Sequence, residues 1–221
     1  MKIIFTGDNH IYYMAKDIQA SLIKNLMKDI LNEKPDIVCN LGDIGEVLMY
    51  DDISLVQELL DSRIPTVFIL GNHDLYNKQE LDPVHAMNEV LDTRIRCGMP
   101  LQTHWQDSTN IYEDGDCLFI GTIGFPDFND PKLIFPKQYY DVRFPTSDGT
   151  YINLNKGWLV YTDMMLKAFT KKLMLINHSK CKNVIILTHY PCFKSQYHLN
   201  VNDEISPYFY CHDLGQMIIH S

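Results

Sequence analysis

Asp8, His10, Asp43, Asn72, His73 and His189 are the side chains of this 221-residue chain whose types and spacing could do chemistry together. They fall in four short motifs: Gly7-Asp8-Asn9-His10, Gly42-Asp43, Gly71-Asn72-His73-Asp74 and His189-Tyr190-Pro191. Carboxylate, imidazole and amide oxygen in one set suit divalent metals of borderline hardness, namely Mn, Fe(II), Zn or Mg, and disfavour a thiolate site. Taken singly, the motifs are ordinary. An Asp-x-His after a strand is mostly a turn with a satisfied histidine, and Gly-Asp after a strand is commoner still. Gly-Asn-His-Asp is more specific, because an Asn-His pair has no packing reason to follow a buried strand. The signal is the set: all four motifs follow directly on apolar, β-branched runs.

Those runs are 2–6 (KIIFT), 36–41 (DIVCNL), 66–70 (TVFIL) and 183–188 (NVIILT). Near-continuous apolar runs of this length read as strands buried on both faces, as in a parallel sheet. Helical spacing lies between the early ones. It is carried by Ile18, Leu22, Ile23, Leu26, Met27, Ile30 and Leu31 within 16–33, and by Ile53, Val56, Leu59 and Leu60 within 53–61. Strand–helix–strand alternation implies right-handed crossovers and an α/β core. If the four strands are parallel, the motifs all lie at the carboxyl edge of one sheet, where open α/β folds place their sites. The glycines before Asp8, Asp43 and Asn72 fit tight strand-to-loop turns with unusual backbone angles.

After His73 the pattern changes. A helix is predicted over 79–91. Strand-like pieces near 101–105, 109–113 and 117–123, with a turn at Glu113-Asp114-Gly115-Asp116, predict hairpins and a second, more antiparallel sheet. Residues 125–157 are aromatic-rich and have no clear period, so they read as an irregular, lid-like insertion. With Lys132, Lys137 and Arg143 among its aromatics, the segment could stack a base or sugar and clamp phosphate. The plainer reading is a long loop anchored by those aromatics. A helix over 158–177 precedes the fourth run, and another over 207–220 ends the chain.

The ordered set of motifs resembles the calcineurin-like metallophosphoesterase family. Asp8-x-His10, Gly42-Asp43, Gly71-Asn72-His73-Asp74 and His189 carry the resemblance and span most of the chain. The resemblance implies a four-layer α-β-β-α sandwich with two mixed central sheets, and a dinuclear metal site at the sheet edge. One metal would take Asp8, His10 and Asp43; the second would take Asp43, Asn72 and His189, with Asp43 bridging. The implied cofactors are two divalent ions, with manganese favoured. His73 would face the substrate phosphate, protonating the leaving oxygen or donating to the phosphoryl group. Glu46 matches where the Ser/Thr phosphatase branch keeps an Asp to orient that histidine, although a Glu just past a strand is usually a solvated loop charge. Asp74 reads equally as a helix cap or a site residue. Two divalent ions about 3.5–4 Å apart can hold a bridging water and lower its pKa, so that the hydroxide attacks phosphorus in line. The implied reaction is hydrolysis of a phosphomonoester or a phosphodiester.

The chain also departs from the family. The last family motif, Gly-His-x-His, is absent, since no two of the nine histidines lie two positions apart. Each metal is left with three protein ligands. The chain stops at Ile219-His220-Ser221, about where the helix before that motif would end. This favours a single domain over 1–221 that lacks its C-terminal part; His212 or His220 as a stand-in ligand, or a single weakly bound metal, are the alternatives. The Ser/Thr phosphatase signature is replaced by Gly42-Asp43-Ile44-Gly45-Glu46-Val47, which argues against a phosphoprotein substrate. A second function class stays open: a non-catalytic scaffold or binding protein with an incomplete metal site. His73 favours the enzyme, because a scaffold has no need of a proton donor beside metals.

Composition bounds the rest. Hydrophobic residues make up 46% and charged residues 21%, which excludes a disordered chain, a collagen-like repeat and a long coiled coil. With 19 basic and 28 acidic residues the formal charge is −9, so strong binding to nucleic acid or anionic membrane is not expected. The expected partner is a small phosphorylated substrate. None of the six cysteines forms a Cys-x-x-Cys pair, and free thiols suit a reducing compartment. Neither a signal peptide nor a membrane span of ~20 apolar residues is visible, so the expected location is cytoplasmic. Phosphate-loop, dinucleotide, serine-elbow and His-Glu-x-x-His signatures are missing as well.

Overall fold

The N-terminal apolar run forms β1 (Ile3–Thr6) and pairs in parallel with β2 (Ile37–Asn40), Ile3 opposite Ile37 and Thr6 opposite Asn40. The chain between them is α1 (Lys16–Asn32), a crossover helix. It buries Ile23, Met27 and Ile30, one stripe at i, i+4 and i+7. Ile18, Leu22 and Leu31 stay exposed, so the buried stripe is narrower than the apolar positions alone imply. Lys34 just past the helix takes a left-handed φ of +49° and Pro35 follows, a combination that stops a helix. Next, α2 (Ser54–Asp61) touches α1 and buries Leu55, Val56 and Leu59 before β3 (Thr66–Phe68) pairs in parallel with β2. The first sheet is completed by β4 (Thr103–Trp105), parallel to β3, in the order β1-β2-β3-β4. The computed structural model describes residues 1–11, 14–43, 54–71, 74, 103–105, 111–123, 143–145, 151–153, 166–193 and 212–220. The helix expected over 79–91 lies outside them.

The second sheet begins with the hairpin of β5 (Tyr112–Asp114) and β6 (Cys117–Thr122), which turns at Gly115 with φ +55°. Within 125–157, β7 (Arg143–Pro145) and β8 (Tyr151–Asn153) pair antiparallel with each other; the rest of that segment is outside the described residues. A helix, α3, runs over 166–176 among the described residues. The chain then enters β9 (Asn183–Thr188), which joins β6 in parallel, Thr188 opposite Thr122. The last element is α4 (His212–Ile219), the C-terminal part of the helix expected over 207–220.

Among the described residues the first sheet pairs in parallel and the second is mixed. This α/β architecture corrects two sequence expectations. The 101–105 piece joins the first sheet, not an antiparallel one. The fourth apolar run joins the second sheet, so the four motifs do not lie along one sheet edge. Hydrophobic runs report burial on two faces, and both sheets provide it. Which neighbour a strand pairs with depends on contacts distant in sequence, such as β6 with β9.

Among the described residues an apolar cluster joins the two sheets. Ile37 and Cys39 of β2, Val67 of β3 and the adjoining Ile69 pack with Phe119 of β6 and Leu187 of β9. Burial pushes the Cys39 thiol up to about 12, so it is an inert core residue. On the other face of the second sheet, Leu118 and Ile120 pack with Phe169 and Leu173 of α3, Leu214 of α4 and Cys192. Lys172 of α3 is buried in this layer, and its Nζ donates to the Gly121 carbonyl of β6 at 2.7 Å. Nothing in the sequence pattern marks this lysine as internal. No helix among the described residues is long and apolar enough to cross a membrane.

Phe119→Ala removes a large, fully buried side chain from the cluster that both sheets share. It should cost about 3–5 kcal/mol of folding free energy in urea denaturation. A loss near zero would mean that the sheets do not depend on this contact.

Candidate metal centre

Parallel pairing of β1 with β2 brings the first two motifs side by side. Beyond the strands, the Asp8 N–H donates to the Gly42 carbonyl at 2.9 Å. The Asp43 carbonyl accepts from the N–H groups of Asn9 at 3.2 Å and His10 at 3.4 Å. The two loops are thus fastened by backbone bonds before any side chain takes part.

The turns are sharp. Asp8, His10 and Asp43 all adopt left-handed backbone conformations, with φ of 54°, 43° and 49°. Such conformations cost an L-residue about 1 kcal/mol or more, although Asp and His tolerate them better than most. Unfavourable backbone conformations of this kind cluster at functional sites. Of the three motif glycines, only Gly42, at φ +89°, meets the expectation of an unusual backbone angle. Gly7 and Gly71 are required by space instead. A Cβ on Gly7 would lie 2.8 Å from the Leu41 Cβ, and one on Gly71 would collide with the Asp43 carboxylate.

Asp43 is the centre of the cluster and is 1% exposed. His10 Nε2 lies 2.7 Å from Asp8 Oδ1 and 3.4 Å from Asp43 Oδ2. Asp8, His10 and Asp43 each present a ligand atom within 4.8 Å of the others. His189 approaches from the second sheet, its Nε2 3.5 Å from the same Asp43 Oδ2. Its Nδ1 lies 2.9 Å from the Leu41 carbonyl oxygen at the end of β2. A carbonyl only accepts, so Nδ1 carries the proton, and in the neutral ring Nε2 keeps its lone pair facing Asp43. His189 therefore reaches the site although its strand belongs to the other sheet. The Asp8 side chain is 73% exposed against 2% for Asp43, so the cluster opens to solvent on the Asp8 side.

Four of the five sequence-predicted ligands, Asp8, His10, Asp43 and His189, are brought together. The fifth, Asn72, and the two expected catalytic residues, His73 and Glu46, lie outside the described residues. His220, weighed as a stand-in ligand, is exposed at the end of α4 and does not join the cluster; the side chain of His212 is not among those described. Asp74, read equally as a helix cap or a site residue, lies beside the cluster. It is buried, and its Oδ2 accepts from the Asp43 N–H and the Gly71 N–H, each at 2.8 Å. Asn40 and Leu41 are residues that sequence reasoning missed. Asn40 Oδ1 accepts from the Gly42 N–H at 3.0 Å, and Leu41 supplies the carbonyl that orients His189. No sequence signal distinguishes Leu41, because its backbone does the work.

The donor set fits a divalent cation. Two carboxylates and two imidazoles with one buried shared carboxylate match borderline-hard metals. The anionic Asp43, almost without solvent, is an unfavourable arrangement unless cations face it.

The sequence model of the family described as calcineurin-like phosphoesterase matches residues 1–216. The chain belongs to this family. Members are generally phosphoesterase hydrolases that bind divalent metals, which accords with the Asp8–His10–Asp43 group. Among the curated proteins, none matches the chain.

Burial by itself would lower the pKa of His189. The hydrogen bond and charge of Asp43, the Leu41 carbonyl and the charge of Asp74 together outweigh it, and the pKa is raised above the ordinary imidazole value. In the metal-free protein the charged imidazole therefore stabilises the fold. That contribution is complete below about pH 6.5, the unfolded value, and is lost as pH rises through the raised folded value. If His189 ligates a cation, metal binding follows the opposite trend, because the cation must displace its proton. Apparent Mn²⁺ affinity should keep rising with pH above 6.5 in native protein, and this rise should shrink in His189→Asn; calorimetry in two buffers of different ionisation enthalpy checks it. Gly71→Ala should displace the Asp43 carboxylate and weaken Mn²⁺ binding at least tenfold by the same method.

Proposed function

We propose that this chain is a metal-dependent phosphoesterase that hydrolyses a phosphomonoester or phosphodiester of a small substrate. The observation that carries the reading is the approach of His10 and His189 to one buried oxygen of Asp43, with Asp8 beside His10 and the Leu41 carbonyl leaving the His189 Nε2 lone pair available. Asp8, His10 and Asp43 would hold one divalent ion, and Asp43, Asn72 and His189 a second, with Mn²⁺ favoured. Bound there, divalent ions supply an activated water at neutral pH and neutralise charge on the phosphoryl oxygens.

The chain's own residues do the rest. Asp43 shares its carboxylate between the two halves of the site. His73 donates a proton to the leaving oxygen or a hydrogen bond to the phosphoryl group, and Glu46 orients it. The solvent-open Asp8 side would admit the substrate. The site sits on a four-layer α-β-β-α sandwich, for which the shared core between the sheets and the outer packing of α3 and α4 are the support. The thiols of Cys39, Cys117, Cys181 and Cys192 suit a cytoplasmic setting.

Calorimetric titration of the metal-free chain with Mn²⁺ tests the site, and two ions per chain is the expected stoichiometry. Asp43→Asn should abolish metal-dependent hydrolysis of p-nitrophenyl phosphate and bis-p-nitrophenyl phosphate. His73→Ala should lower the rate about 10²-fold or more while leaving Mn²⁺ bound. Equal loss of metal in both variants would refute the division of roles. Mn²⁺ binding by the native chain without hydrolysis of either ester would favour the scaffold.

A further inference from the structure

Asp74 does something that its place in the Gly-Asn-His-Asp motif does not reveal. One oxygen of its buried carboxylate, Oδ2, accepts hydrogen bonds from two backbone N–H groups on different loops: Asp43 after β2 and Gly71 after β3, each at 2.8 Å. These loops lie so close that a Cβ on Gly71 would overlap the Asp43 carboxylate. Asp43 is held at its other end as well, where its carbonyl accepts from Asn9 and His10. The residue between these restraints has a left-handed φ of 49°. Asp43 and Gly71 are both buried, so without Asp74 their N–H groups would lose their acceptor away from water.

We infer that Asp74 is a positioning residue: its Oδ2 staples the Asp43 and Gly71 loops together and holds Asp43 in its strained conformation, so that the carboxylate is aimed at His10 and His189 before any metal arrives. The inference rests on the metal-site reading for its affinity readout, but not for its structural one. The relevant property of Asp74 is an acceptor at a fixed place. Asn provides an acceptor of the same reach, and Ala provides none.

The test measures Mn²⁺ affinity by calorimetry on the full chain, well below the unfolding temperature. Asp74→Ala should weaken binding about 10- to 100-fold, as loss of an outer support to a metal ligand typically does. Asp74→Asn should lie closer to native than to Asp74→Ala. Leu118→Ala, a fully buried site in the α3-facing core, controls for instability and should lower the melting temperature with Mn²⁺ affinity unchanged. Native affinity in Asp74→Ala, equal weakening in Leu118→Ala, or an Asn variant as weak as the Ala variant would each overturn the inference. Amide hydrogen exchange on the metal-free proteins gives a second readout. The Asp43 and Gly71 amides should be protected in native protein and in Asp74→Asn, and should exchange at least tenfold faster in Asp74→Ala. Should Asp74→Ala not fold, the Asn variant decides: loss of protection at these two amides overturns the inference, and retention supports it. Should the native chain bind no Mn²⁺, the functional proposal fails while the exchange data still decide the role of Asp74.

Discussion

A single carboxylate, that of Asp43, sets the terms for the structure around it. It lies almost without solvent at the junction of two sheets, and an isolated carboxylate in such a place is strongly unfavourable. Two imidazoles face one of its oxygens, His10 from the first sheet and His189 from the second. In the metal-free chain the charge on His189 offsets part of the cost, which is why its pKa rises despite burial. Divalent cations would offset it more completely. The interaction that compensates Asp43 without metal is therefore the one that metal binding must replace.

Holding that carboxylate in place requires an unusual backbone. Three of the clustered residues have left-handed φ, and unfavourable conformations persist only where surrounding contacts over-determine them. Here those contacts all engage the main chain, from other backbone groups and from two side chains. The Asp8 and Asp43 loops exchange bonds directly, Asn40 caps the Gly42 N–H, and Asp74 receives the N–H groups of Asp43 and Gly71. Gly71 contributes by lacking a side chain where the Asp43 carboxylate must lie. The candidate metal-ligating side chains are thus set by hydrogen bonds to their backbone.

The two-sheet arrangement brings a second imidazole to Asp43. His189 follows β9, which pairs with β6, and its Nδ1 meets the Leu41 carbonyl of the opposite sheet. That bond lies just beyond the apolar cluster of Cys39, Ile69, Phe119 and Leu187. Packing in the core and ligand geometry at the edge are consequently linked. A change in the spacing of the sheets would move His189 relative to Asp43.

The residue types needed for a metal site, and their place after apolar strands, were legible in the sequence. Strand runs and ligand motifs are local properties, and β1, β2, β3 and β9 formed within the runs from which they were predicted. Helices α1 and α2 followed their apolar spacing for the same reason. Tertiary structure decided which sheet each strand joined, because periodicity records burial and not the identity of the neighbour. It assigned His189 to a second sheet and still delivered it to Asp43. It also decided why the glycines are there, since Gly42 needs a left-handed φ while Gly7 and Gly71 need empty space. The roles of Asp74, Asn40 and the Leu41 carbonyl arise from hydrogen bonds between loops and strand ends that meet only in the folded chain. Local pattern specified the candidate ligands, and long-range contacts specified how Asp43 and His189 meet.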